Sequence, residues 1–120
     1  MTRIDRAALS VFSAPDPDAT TDLLDAARAI QDDVVEIRRR IHRQPEIGLD
    51  LPKTQGVILE ELARLGIESR SGTALSSVVA VVRGERPGPT ILLRADMDAL
   101  PLHEDTELDF ASVVGEAMHA

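Results

Sequence analysis

Two aspartates, Asp96 and Asp98, stand two positions apart in Arg94-Ala95-Asp96-Met97-Asp98-Ala99-Leu100-Pro101, just after the apolar run Ile91-Leu92-Leu93. In an extended chain positions i and i+2 project to the same side, so both carboxylates are aimed at one place. Held close without a cation they repel and one is driven toward protonation; a metal ion or a basic group beside them removes that conflict. Open α/β sheets gather ligands beyond the carboxyl ends of their strands, where this pair falls. The same spacing also suits a solvated turn that ends a strand. Pro101 fixes the exit of the loop, and Leu102 can pack beneath it.

The histidines must be weighed singly, because His42, His103 and His119 are widely separated and share no i, i+4 helical face on which a metal pair could sit. His42 falls at the end of a predicted helix, where a positive ring complements free carbonyls. His103 reads as a surface loop residue. The chain has no cysteine, so it holds neither a disulfide nor a thiolate metal ligand, and the redox compartment cannot be read from it.

Composition sets wider bounds. A chain of 120 residues fits one domain, which on folding buries roughly two-thirds of its surface. The core is expected to be aliphatic, since Phe12 and Phe110 are the only aromatic side chains. A net charge of −8 without Tyr or Trp argues against nucleic acid as a partner, which needs clustered Lys/Arg and stacking platforms. The run Val78 to Val82 falls far short of the ~20 apolar residues of a spanning helix, so no membrane is expected as a partner. Arg3 and Arg6 before Ala7 to Ala14 have the outline of a short signal peptide. Asp5, Ser10, Ser13 and the bulk of Phe12 disfavour it, and a cytoplasmic location is expected.

The elements that must position these residues follow from pattern. Pro15-Asp16-Pro17-Asp18 breaks regular structure, so residues 1–19 read as a flexible leader. A long helix is predicted from Thr20 or Thr21, with Leu23, Ala27, Ile30, Val34, Ile37 and Ile41 forming one stripe. Arg38, Arg39 and Arg40 suit its C-terminal end, and Pro45 stops it. After a loop, a second helix is predicted from Pro52 to Leu65, with Gly66 as its left-handed stop. The period then becomes extended: 67–71, 77–83 and 90–95 are predicted strands. Pro87-Gly88-Pro89 turns the last two into an antiparallel pair, and Ile91-Leu92-Leu93 reads as a central strand covered on both faces.

Two motifs in order carry a resemblance. Arg39-Arg40-Ile41-His42-Arg43-Gln44-Pro45-Glu46 fits Arg-x-x-His-x-x-Pro-Glu, and Arg94 to Pro101 is followed by Gly115-Glu116-Ala117-Met118-His119-Ala120. Together they resemble the amidohydrolase branch of the aminoacylase/carboxypeptidase metallopeptidases: hippurate hydrolases, N-acyl-amino-acid amidohydrolases and auxin-conjugate hydrolases. The likeness runs from about Ile37 to Ala120; Gln44 stands where many relatives have His, and Leu51-Pro52 interrupts an acidic stretch.

The resemblance implies an α/β fold: the N-terminal part of a zinc-exopeptidase-like catalytic domain, two helices followed by a small, mostly antiparallel, incomplete sheet. Residues 20–120 would be that partial domain. In the family, Met-His-Ala runs on into Cys-Gly-His-Asp, whose Cys and His hold the metal pair; these 120 residues hold neither. By the same resemblance Asp98 is the catalytically required Asp that supports the metal centre. Asp96 occupies the place of a His in related branches, His119 lies beside the centre without being its main ligand, and His42 belongs to the first motif. No metal ligand is assigned. The complete enzyme would use a Zn²⁺ or Mn²⁺ pair to hydrolyse the amide of a small-molecule N-acyl amino acid. This chain alone is expected to be inactive and to bind no catalytic metal tightly. The alternative is a non-enzymatic α/β interaction module, or one piece of a split hydrolase, self-associating through an exposed sheet edge.

Overall fold

The computed structural model describes residues 17–120, and the expected leader up to residue 16 lies outside the described residues. Residues 17–19 are helical: α1 runs Pro17–Ala29, opening on a proline at the position where a missing N–H costs nothing. The predicted long helix is two helices. Ile30, at φ −102° and ψ 3°, separates α1 from α2, Gln31–His42, and Asp32 and Asp33 place negative charge at the new N-terminus. The predicted stripe is only half used. Ile37 and Ile41 turn partly inward, whereas Leu23, Ile30 and Val34 stay exposed.

Helix α3, Pro52–Arg64, matches its expected limits closely. Pro52 opens it, and the Glu46 carboxylate, reaching from the preceding loop, accepts the backbone N–H groups of Lys53 at 3.1 Å and Thr54 at 2.8 Å. Its far end closes as a Schellman motif. Gly66, at φ +69°, donates to the Ala63 carbonyl at 3.0 Å, and Ile67 donates to Leu62 at 2.8 Å. Arg40 ties α2 to α3 through Glu60 and Glu61.

Two short strands follow, β1 Ser69–Ser71 and β2 Val78–Ala80, paired antiparallel with Arg70 opposite Val79. The turn between them closes at Gly72, where a Cβ would lie 2.4 Å from Ser77 Oγ and 2.7 Å from the Leu75 carbonyl oxygen. This pairing differs from the expected one. Residues 90–95 carry no strand, and Leu92 and Leu93 are 89% and 90% exposed. Instead, Val79 to Arg83 and Arg86 to Leu92 flank an open cavity of about 700 Å³. A doubly buried central strand needs a layer on each face, and the described residues supply neither.

The remaining chain is irregular but fastened. Ala99 N–H donates to the Glu46 carbonyl at 2.8 Å, Leu100 and Met118 exchange backbone bonds at 2.9 and 3.1 Å, and Val113 donates to Arg43 at 3.0 Å. Leu51, Ala99, Phe110 and Ala117 are the buried apolar residues of this region. The loop from Arg43 to Leu51 is therefore the hub on which α3 and the Asp96 to Ala120 segment both hang.

Candidate functional site

His42 is the best buried of the expected site residues, 7% exposed at the last position of α2. It does not cap its own helix. Its Nε2 lies 3.0 and 3.1 Å from the two carboxylate oxygens of Glu104, whose side chain is 3% exposed. Thr106 Oγ1 donates to the same carboxylate at 2.6 Å and the Ser112 backbone N–H at 2.6 Å. These bonds, the Thr106 hydroxyl first, then Ser112 and His42, push the Glu104 carboxyl down to about 2 against the opposing effect of burial. Phe110 meets the His42 ring edge-on at 5.7 Å between centroids, and Arg39 and Arg38 lie over Phe110 at 4.5 and 5.4 Å. The arginine run thus sits on an aromatic face and a carboxylate pair rather than simply in solvent.

His119 approaches from the other end of the chain, with its ring centroid 6.4 Å from that of His42. Burial, then the neighbouring His42, holds it below the usual histidine range, while Asp98 pulls the other way. His42, His119, Thr54 and Asp96 line one cavity of about 220 Å³, closed further by Arg38, Ile41, Ile58 and Met97. Three buried polar atoms on these residues have no hydrogen-bond partner: His42 Nδ1, Thr54 Oγ1 and His119 Nε2. Unsatisfied polar atoms are costly, so three around one cavity mark a place suited to a polar guest.

The expected residues divide as follows. Asp96 is exposed and ion-paired with Arg94, yet it borders the cavity. Asp98 is exposed and acts on His119 through its charge without lining the cavity. His103 stays on the surface, its Nδ1–H donating to the Gly115 carbonyl at 2.7 Å. Sequence reasoning missed Glu104, Thr54 and Glu46. Glu104 and Thr54 carry no local pattern, but Glu46 could have been found as an acidic residue a few positions before a proline-led helix.

A 43% identity links the chain, over 104 residues or 86% of its length, to thermostable carboxypeptidase 1 of Saccharolobus solfataricus, and these cover 26% of that protein. N-acyl-L-amino acid amidohydrolase of Geobacillus stearothermophilus is 37% identical over 91 residues, 76% of this chain and 25% of its own. In fold, a crystal structure described as a dinuclear metal-binding peptidase of the M20 family, from Bacillus subtilis, matches at TM-score 0.70. It is 36% identical, over 77% of this chain and 26% of that one. The chain belongs to the M20 peptidase and amidohydrolase family. It spans about a quarter of the length of the curated relatives it matches. No family model matches it.

Membership of the M20 family raises the question of metal. Among the described residues no group of three or more His, Cys, Asp or Glu side chains could hold an ion. Asp96 is engaged by Arg94, and His42 has one nitrogen committed to Glu104. The side chains of this M20 segment therefore do not fit a dinuclear centre by themselves.

Proposed function

We propose that the chain forms part of the catalytic domain of an M20 amidohydrolase that cleaves N-acyl amino acids to a carboxylic acid and an amino acid. The observation that carries the reading is the meeting of His42, His119 and Asp96 around one small polar cavity, in a chain 37% identical to an N-acyl-L-amino acid amidohydrolase. In this reading the chain supplies one wall of the site. Asp98, through its charge on His119, orients that ring, and Arg38 and Ile58 help keep bulk water from the cavity. A Zn²⁺ or Mn²⁺ pair is assigned to the complete enzyme only, and the isolated chain is proposed to be inactive. The setting proposed is the cytoplasm, since Asp5 and Phe12 suit a signal peptide poorly.

A second reading, one piece of a split hydrolase or an interaction module, draws on the exposed apolar residues Val79, Val81, Val82, Ile91, Leu92 and Leu93. It requires a partner to cover them.

The test is a chimaera in which this chain replaces the matching 91 residues of the Geobacillus amidohydrolase. Hydrolysis of hippurate, lost on Asp98→Asn by about 10²-fold or more, supports the first reading. A folded chimaera without activity, or one indifferent to Asp98→Asn, overturns it.

A further inference from the structure

A carboxylate that is already ionised can only accept hydrogen bonds, and both Glu104 oxygens lie within 3.1 Å of His42 Nε2. The proton on that ring must therefore sit on Nε2. Thr106 Oγ1 and the Ser112 N–H hold the carboxylate from its other sides, so it cannot turn away. The other ring nitrogen, Nδ1, is buried and unpartnered on a residue that lines the 220 Å³ cavity. Neutral His42 thus brings a bare acceptor to that wall. Thr54, 3% exposed in the first turn of α3, brings a hydroxyl with no partner to the same cavity. Its position is secured by the bond between its own backbone N–H and Glu46.

An acceptor beside a hydroxyl donor is complementary to a group that offers N–H and C=O together. Such a group is an amide. An ionised carboxylate, with two acceptor oxygens and no donor, would set its charge against the His42 lone pair.

We propose that His42 Nδ1 and Thr54 Oγ1 form a docking point for a secondary amide, with Glu104 as the positioning residue that fixes the His42 tautomer. The amide N–H donates to Nδ1 and the Thr54 hydroxyl donates to the amide oxygen. No bond is made or broken. This deepens the amidohydrolase reading, on which it rests for the choice of amide ligand, by naming the side chains that hold the substrate's amide.

The test is nitrogen-15 NMR of the histidines in the full 120-residue chain, free and titrated with N-methylbenzamide or with benzoate as probes. The expected spectrum shows His42 protonated at Nε2 and bare at Nδ1, with the Nδ1 signal moving on addition of the amide and not of benzoate. Thr54→Val should weaken amide binding about five- to tenfold, the worth of one hydrogen bond. Glu104→Leu should mix the two His42 tautomers, and Glu104→Gln, whose amide oxygen still accepts, should restore the Nε2–H form. A His42 protonated at Nδ1, a signal that follows benzoate, or amide binding unchanged in Thr54→Val overturns the proposal. Should the isolated chain not hold its fold, the active chimaera decides. There Thr54→Val is expected to raise KM for hippurate five- to tenfold with kcat nearly kept, and an unchanged KM rejects the docking point. An inactive chimaera beside a positive NMR titration would sink the amidohydrolase reading and leave the docking point standing.

Discussion

His42 and Glu104, 62 positions apart, meet in the interior of the protein with the histidine Nε2 centred on the carboxylate at 3.0 and 3.1 Å. This contact joins the end of α2 to the irregular C-terminal segment, and it faces Phe110 and His119. Because the two partners come from opposite ends of the described chain, the pair reports on whether the long-range fold is formed.

The Glu104 carboxyl titrates near 2 in the folded chain against an ordinary value of 4.5. The unfolded chain binds the proton more readily between those values, so stability is fully present above 4.5 and is lost as pH falls toward 2. Thermal unfolding followed by circular dichroism should show the melting temperature falling through that window. Glu104→Gln should flatten the fall, and an equally steep fall in that variant would contradict the assignment.

Glu46 caps α3 from outside the helix through Lys53 and Thr54. Glu46→Ala should lower stability by about 1–2 kcal/mol, the range of lost N-caps. Urea denaturation measures it. No change in midpoint would mean that water replaces the cap without cost.

Gly66 holds a left-handed conformation at φ +69° with open space around its α-carbon. The cost of a side chain there is conformational, not steric crowding by neighbours. Gly66→Ala is expected to destabilise by about 1 kcal/mol, and Gly66→Asn by less, since Asn tolerates this region best among the other residues. Equal losses in both variants would argue against the backbone explanation.

Leu92 and Leu93 are almost wholly exposed beside Val81 and Val82. We expect the isolated chain to self-associate through this face, as measured by light scattering across a concentration series. Leu92→Lys combined with Leu93→Lys should shift the population toward monomer without lowering the melting temperature, because little burial is lost. Unaltered association would move the interface elsewhere.

Much of the local architecture was legible in advance. Pro52 and Gly66 bracket α3 as read, since proline and glycine act through their own backbone torsions. The motif containing His42 and the one ending in His119 were singled out, and the fold brings them to one cavity. The break at Ile30 was not legible. An uninterrupted apolar spacing across 23–41 reads as one helix, and the bend costs only one residue's torsions. Residues 90–95 were read as a covered strand because their composition demands cover, yet composition does not say which chain supplies it.

The sequence by itself determined helix ends, turns and the residues around which a polar site gathers, because each depends on neighbours a few positions away. Tertiary structure alone decided that Glu104 rather than a backbone carbonyl receives His42, that Glu46 serves a helix it does not belong to, and that Thr54 joins two distant histidines. Those choices depend on where the loop from Arg43 to Leu51 carries the chain. Its path is set by the backbone bonds of Ala99 to Glu46 and Val113 to Arg43, which link segments with no pattern in common.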